Sequence, residues 1–215
     1  MAAPEPGAKN LAGLYHLPRC SVGQADAGEC RIACMRLGIA HHFGWAVAVT
    51  ASVDHQVADR RRIELIEPGM PRAPIHHDGK SLDDAAAAAL VAGVRASAVR
   101  AASASLDQLA AALPEPILSM SLRSWPLDFP GDIAVQRRAP YESRADSIMY
   151  RQVLAELARA RGWAVHLYDA RAVEDQAVTI LGPRAHEVLH GPRATLGPPW
   201  AKDHRMAFAA AIMAG

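Results

Sequence analysis

The sequence predicts an α/β fold built on a mixed five-stranded sheet flanked by helices, and three observations carry that reading. Three short apolar or alternating runs follow one another between Leu37 and Ile66 with only brief polar breaks, the pattern of consecutive antiparallel strands. Two later apolar runs are each preceded by a helical stretch, so they must enter the sheet by helical crossovers. The chain has 215 residues, 51% hydrophobic but only 5% aromatic, so aliphatic side chains and alanine must fill one core of ordinary domain size.

The elements are expected in this order. Residues 1–34 carry three acidic and three basic residues, several glycines and prolines and no sustained period; they read as a poorly ordered leader, with Met35 a candidate start. All three cysteines, Cys20, Cys30 and Cys34, lie there without a CxxC spacing and read as free thiols. Leu37 to Ala40, Gly44 to Ala51 and Gln56 to Ile66 are the three strands, and Pro68, Gly69, Pro71 and Pro74 close the third. Ser81 and Asp84 resemble a capping box opening an alanine-rich helix to about Ala102, and Ser105 is placed to cap a second, short helix through Leu113.

Pro116 to Leu122 is a strand bounded by prolines, followed by an irregular stretch from Arg123 to Pro140. Ser143 is placed to cap a long helix whose apolar stripe is Ala145, Ile148, Met149, Val153, Leu157 and Ala160, with Gly162 as its stop. Trp163 to Tyr168 alternates as the fifth strand. Turns and short helical pieces fill the chain to Pro199, and a last helix begins near Trp200.

This succession, with Leu37, Gly38 and Ile39 followed by Gly44, Trp45, Ala46 and Val47, then Tyr150 to Arg161, Gly162, Trp163, Ala164 and Val165, and finally Asp203 leading an alanine-rich helix, resembles the ribonuclease H-like superfamily, especially nucleases of the Holliday-junction resolvase (RuvC) type. The resemblance covers roughly residues 35–215. It implies a site in which acidic residues hold one or two magnesium ions and a phosphodiester is hydrolysed. The acids themselves are mostly missing: the first-strand aspartate falls at Ala40, the fourth-strand acid near Ser121 and the second acid of the last helix near Met206, which leaves Asp203. The resemblance therefore implies a degenerate metal site and a binding or assembly module, with nucleic acid as the candidate partner.

Two enzymatic alternatives stand beside it. In a divergent magnesium nuclease Asp203 would hold the metal, Asp84 would be a second carboxylate, and His41 or His204 would orient water. His42, Arg123 and Ser124 complete the candidate binding residues, the last two because they follow a buried strand where sheets place their ligands. In a zinc hydrolase, His186, Glu187 and His190 would form an HExxH segment, although Pro183, Gly191 and Pro192 leave it a helix of only about two turns. Structural roles compete with each: Asp203 and Asp84 suit the first turn of a helix, and His41 and His42 suit a tight turn.

Net charge is +1, so nucleic acid would have to meet a local patch. Arginine outnumbers lysine twenty to three, but Arg60 to Arg62, Arg137, Arg138, Arg144, Arg151, Arg159 and Arg161 have acidic neighbours and read first as a salt-bridged surface. Phosphate-loop and serine-hydrolase motifs are absent. With no run of about 18 uncharged apolar residues and no secretory-signal pattern, an intracellular, cytoplasmic protein without a membrane partner is expected.

Overall fold

The computed structural model describes residues 34–214. The leader expected over 1–34, the candidate start that depends on it, and Cys20 and Cys30 lie outside the described residues, apart from Cys34, whose thiol is free and half-buried. The strands are β1 (Met35–His41), β2 (Trp45–Ser52), β3 (Val57–Glu64), β4 (Ile117–Arg123) and β5 (Ala164–Tyr168). They form one sheet in the order β3-β2-β1-β4-β5. β1, β2 and β3 are antiparallel neighbours, whereas β4 lies parallel to β1 and β5 parallel to β4. The mixed sheet is therefore as expected.

Burial explains the strand sequences. β2 is buried along nearly its whole length, which is why it reads as an unbroken apolar run. β3 is an edge, and its arginines protect it: Arg61 pairs with Asp59 at 2.7 Å and Arg62 with Glu64 at 2.8 Å, while Arg60 donates to backbone carbonyls including Leu196 and Gly197. The salt-bridged reading of this run holds for Arg61 and Arg62, whereas Arg60 is held by backbone carbonyls.

One face of the sheet presents Leu37, Ile39, Ala46, Ala48, Ile63, Met120 and Leu122 to the helices α1 (Asp84–Ala111) and, beyond the four-residue α2 (Ile133–Gln136), α3 (Glu142–Ala160). The other presents Ala40, Val47, Val49 and Ala51 to α4 (Val173–Leu181), α5 (Ala185–His190) and, beyond the short α6 (Pro192–Leu196), α7 (Lys202–Ile212). Gly38 sits under α7, where a Cβ would lie 1.7 Å from the Ala207 carbonyl oxygen.

Three boundaries differ from expectation. The cap of α1 is Asp83, whose carboxylate accepts from the Ala86 N–H at 2.8 Å, not Ser81. α1 also runs unbroken past Ser105, because Val94, Ala98, Ala102, Leu106 and Leu109 keep one stripe buried and the Ser105 hydroxyl donates to the Glu64 carbonyl of β3 at 2.9 Å rather than capping a new helix. α3 starts at Glu142 without a side-chain cap, so Ser143 does not serve as one. It is moored instead by buried Asp146, which accepts from the Ile75 and His76 N–H groups, each at 2.9 Å, in a π-helical turn over Pro74–Asp78. Gly162 ends α3 with a φ of 74°, the left-handed turn that glycine permits.

Among the described residues one helix, α1, is long and apolar enough to cross a membrane by length and composition, and here its inner stripe is buried against the sheet.

Candidate functional site

The paired ladder between β1 and β4 stops at Gly38 and Ser121, and the ends of the two strands open a crevice there. Crevices at the carboxyl ends of parallel strands are where α/β sheets place ligands. The Tyr168 hydroxyl crosses from β5 to donate to the Ile39 carbonyl at 2.7 Å, filling the hydrogen bond that the ladder no longer supplies. Beyond that bond lies a cavity of about 200 Å³ lined by His41, His42, Phe43, Arg123 and Ser147.

Strand alternation sends the two histidines to opposite faces. His41 points toward α3, where burial above all, and then Arg151, Arg123 and His42, push its pKa down to about 3; its ring is neutral at neutral pH. His42 points toward α7, donates from Nε2 to the Asp203 carboxylate at 2.9 Å and stacks on Trp45 with ring centroids 4.1 Å apart. The Arg62 guanidinium also covers Trp45, 4.3 Å from its ring centroid.

Arg151, read from the sequence as one of the salt-bridged surface arginines, is instead buried beside the crevice. It is 5% exposed and is held entirely by neutral acceptors: the Ser147 carbonyl and hydroxyl, both at 2.9 Å, the Ser124 carbonyl at 2.5 Å and the Arg123 carbonyl at 3.4 Å. Burial, then Arg123, brings its pKa down to about 10, so it stays a cation, with no carboxylate paired to it among the described residues. Its place three residues after Ile148 on the inner face of α3 was the available signal. The surface reading holds for Arg161, paired with Asp107 at 2.6 Å, and fails for Arg151.

The other expected residues fall as follows. Arg123 and Ser124 stand at the crevice, both exposed; the Ser124 N–H donates to the Tyr168 carbonyl at 2.8 Å, and the Arg123 guanidinium has no hydrogen-bond or ion-pair partner among the described residues. Trp125 is half-buried beneath Arg151, 6.0 Å from its guanidinium. His204 accepts from the Ala201 N–H at 3.3 Å, which makes it a helix-end ligand of the backbone, and burial followed by Arg60 lowers its pKa.

Asp84 does not join them. It opens α1, on the face of the sheet opposite α7 and Asp203, pairs with Arg137 at 2.6 Å and lines a separate cleft with His76, Lys80, Arg138 and Glu142. The position read as the first-strand acid, Ala40, is buried under α7, and at Ser121 the buried hydroxyl has no hydrogen-bond partner among the described residues.

Among the described residues no three His, Cys, Asp or Glu side chains come together in a group that could hold a metal ion. Among these residues Asp203 has no companion carboxylates of the kind a magnesium pair requires, and His186 and His190, stacked 5.0 Å apart on the six-residue α5, have no third zinc ligand. What the crevice offers is cationic: Arg123 and Arg151, with neutral imidazole beside them and one carboxylate already bonded to His42. No known family model matches this chain, and a search of curated proteins finds no match.

Proposed function

We propose that this chain is a ribonuclease H-like domain whose metal centre has been lost and which binds nucleic acid without cutting it. The observation that carries the reading is the exchange of charge at the β1/β4 crevice: Ala40 and Ser121 stand where the resemblance calls for carboxylates, Asp203 is engaged by His42, and Arg123 and Arg151 supply positive charge beside them. Arginine forks suit phosphate oxygens. The strand order β3-β2-β1-β4-β5 with its two parallel crossovers supports the family reading, because it is the arrangement that the resemblance implies.

Fluorescence anisotropy with labelled single-stranded and branched DNA and RNA tests the proposal. Binding should weaken steeply as salt rises, since each phosphate contact releases counterions. Incubation of the same substrates with magnesium or manganese should leave them intact. Cleavage that Asp203→Asn abolishes would replace this reading with the divergent nuclease, and the absence of binding to every substrate would remove it.

A further inference from the structure

The crevice is shaped and charged for one particular part of a nucleic acid. We infer that the cavity lined by His41, His42, Phe43, Arg123 and Ser147 is a binding site for a phosphomonoester, a terminal phosphate group. The inference deepens the reading above and rests on it only for what carries the phosphate.

Size is the first argument. The cavity of about 200 Å³ is smaller than the ~300 Å³ at which pockets for whole small molecules begin, so it admits a head group and leaves the rest of its bearer outside. Charge is the second. His41, His42 and Arg123 are the titratable groups that line the cavity itself, and the charged or titratable groups on the elements packed behind them are Arg144 and Arg151 of α3, Tyr168 of β5 and Asp203 of α7. Asp203 is the one carboxylate of that set, and it is bonded to His42. The balance is an excess of positive charge, part of it on a guanidinium that is 5% exposed and has no acidic partner among the described residues.

A buried cation without a counter-charge is costly, and an anion arriving next to it repays that cost. The donors are divided. Arg123, exposed and unpaired among the described residues, can turn its fork onto the phosphate oxygens, while the neutral His41 ring is held by the Ser147 backbone and walls the cavity. Arg151 acts from behind the wall: it binds the hydroxyl and carbonyl of Ser147 and the carbonyls of Arg123 and Ser124, so it fixes the rim and contributes charge. One guanidinium charge on the lining and a second behind it favour the dianion of a monoester over the single charge of a diester or a carboxylate.

The chemistry is shared by a phosphorylated nucleic-acid end and by a small phosphorylated molecule, and the experiment separates them. Isothermal titration of the full chain with inorganic phosphate should give saturable binding, and Arg123→Ala should weaken it ~10-fold or more. Because Arg123 is exposed, the variant should keep the wild-type circular dichroism spectrum; Arg151→Lys, which retains the charge and loses the fork, gives a second measurement. A single-stranded oligonucleotide with a 5′-phosphate should compete with inorganic phosphate, and its 5′-hydroxyl counterpart should not.

Equal binding of both oligonucleotides, with no competition by phosphate, would overturn the pocket assignment and leave the nucleic-acid reading standing. Phosphate binding that Arg123→Ala removes, without binding of either oligonucleotide, would uphold the pocket and overturn the nucleic-acid reading. No saturable phosphate binding, or an Arg123→Ala variant that binds phosphate as the wild type does, sinks the inference.

Discussion

At Gly38 the whole face between β1 and α7 depends on a missing atom. A Cβ there would stand 1.7 Å from the Ala207 carbonyl oxygen and 3.0 Å from the Ala211 nitrogen, both backbone atoms that cannot swing aside. Gly38→Ala must therefore lift α7 off the sheet and open the cluster of Ala207, Phe208, Ala210 and Ala211 over Ala40. The expected loss is about 3 kcal/mol or more, at or beyond the upper end of ordinary overpacking. Gly93 makes the opposite case: it lies within α1, and a Cβ there meets nothing within 4 Å. Gly93→Ala should stabilise the chain by about 1 kcal/mol through helix propensity and a less flexible unfolded state. Urea midpoints of the two variants check the pair, and a Gly38→Ala midpoint no lower than that of the wild type would show that the tight approach at Gly38 is not what the fold requires.

At the scale of the element, α1 is held at its start by Asp83 and along its length by the buried stripe from Ala87 to Leu109. Asp83→Ala removes the acceptor for the Ala86 N–H and should cost about 1 kcal/mol, whereas Ser81→Ala should leave the chemical denaturation curve unchanged. The same helix marks how far the sequence could be read. All five strands were legible because each is a short apolar run closed by polar residues or proline, and the parallel crossovers followed from the helices between them. The continuation of α1 past Ser105 was not, because a serine signals a cap unless its hydroxyl is known to reach Glu64 on a strand forty residues away in sequence. The site divides in the same way. His41, His42, Arg123 and Ser124 could be grouped because strand ends converge in a crossover fold. Asp84 was grouped with them wrongly, since its place at a helix start does not reveal that this start lies beside Arg137 in a separate cleft and not at the strand ends. Arg151 was lost among arginines that do lie on the surface, and only its spacing from Ile148 set it apart.

At the scale of the molecule, a net charge of +1 gives no general attraction for polyanions, so recognition must rest on where charge is left unbalanced. The same unbalanced crevice sets how stability responds to acid. His41 is held neutral, its pKa pressed from 6.5 to about 3 by burial and by Arg151, Arg123 and His42. Below pH 6.5 the unfolded chain takes up a proton there that the folded chain refuses, so the stability His41 confers is full above that pH and falls as the pH drops toward 3. By pH 4 this loss reaches as much as ~3 kcal/mol, the ring being partly accessible. His55 and His204, whose values are also lowered by burial, act in the same direction. Buried Asp146 acts in the opposite one: its raised value lets the folded chain bind a proton before the unfolded chain does, which favours folding as the pH falls through that range. His41→Gln isolates the first contribution, because glutamine cannot be charged. Denaturation of wild type and variant between pH 7 and pH 4 should show the two stabilities drawing together as the pH falls, with the wild type losing more. Parallel curves would mean that His41 meets solvent freely, and the crevice would then lack the dry, positively charged wall that makes it receptive to a phosphate.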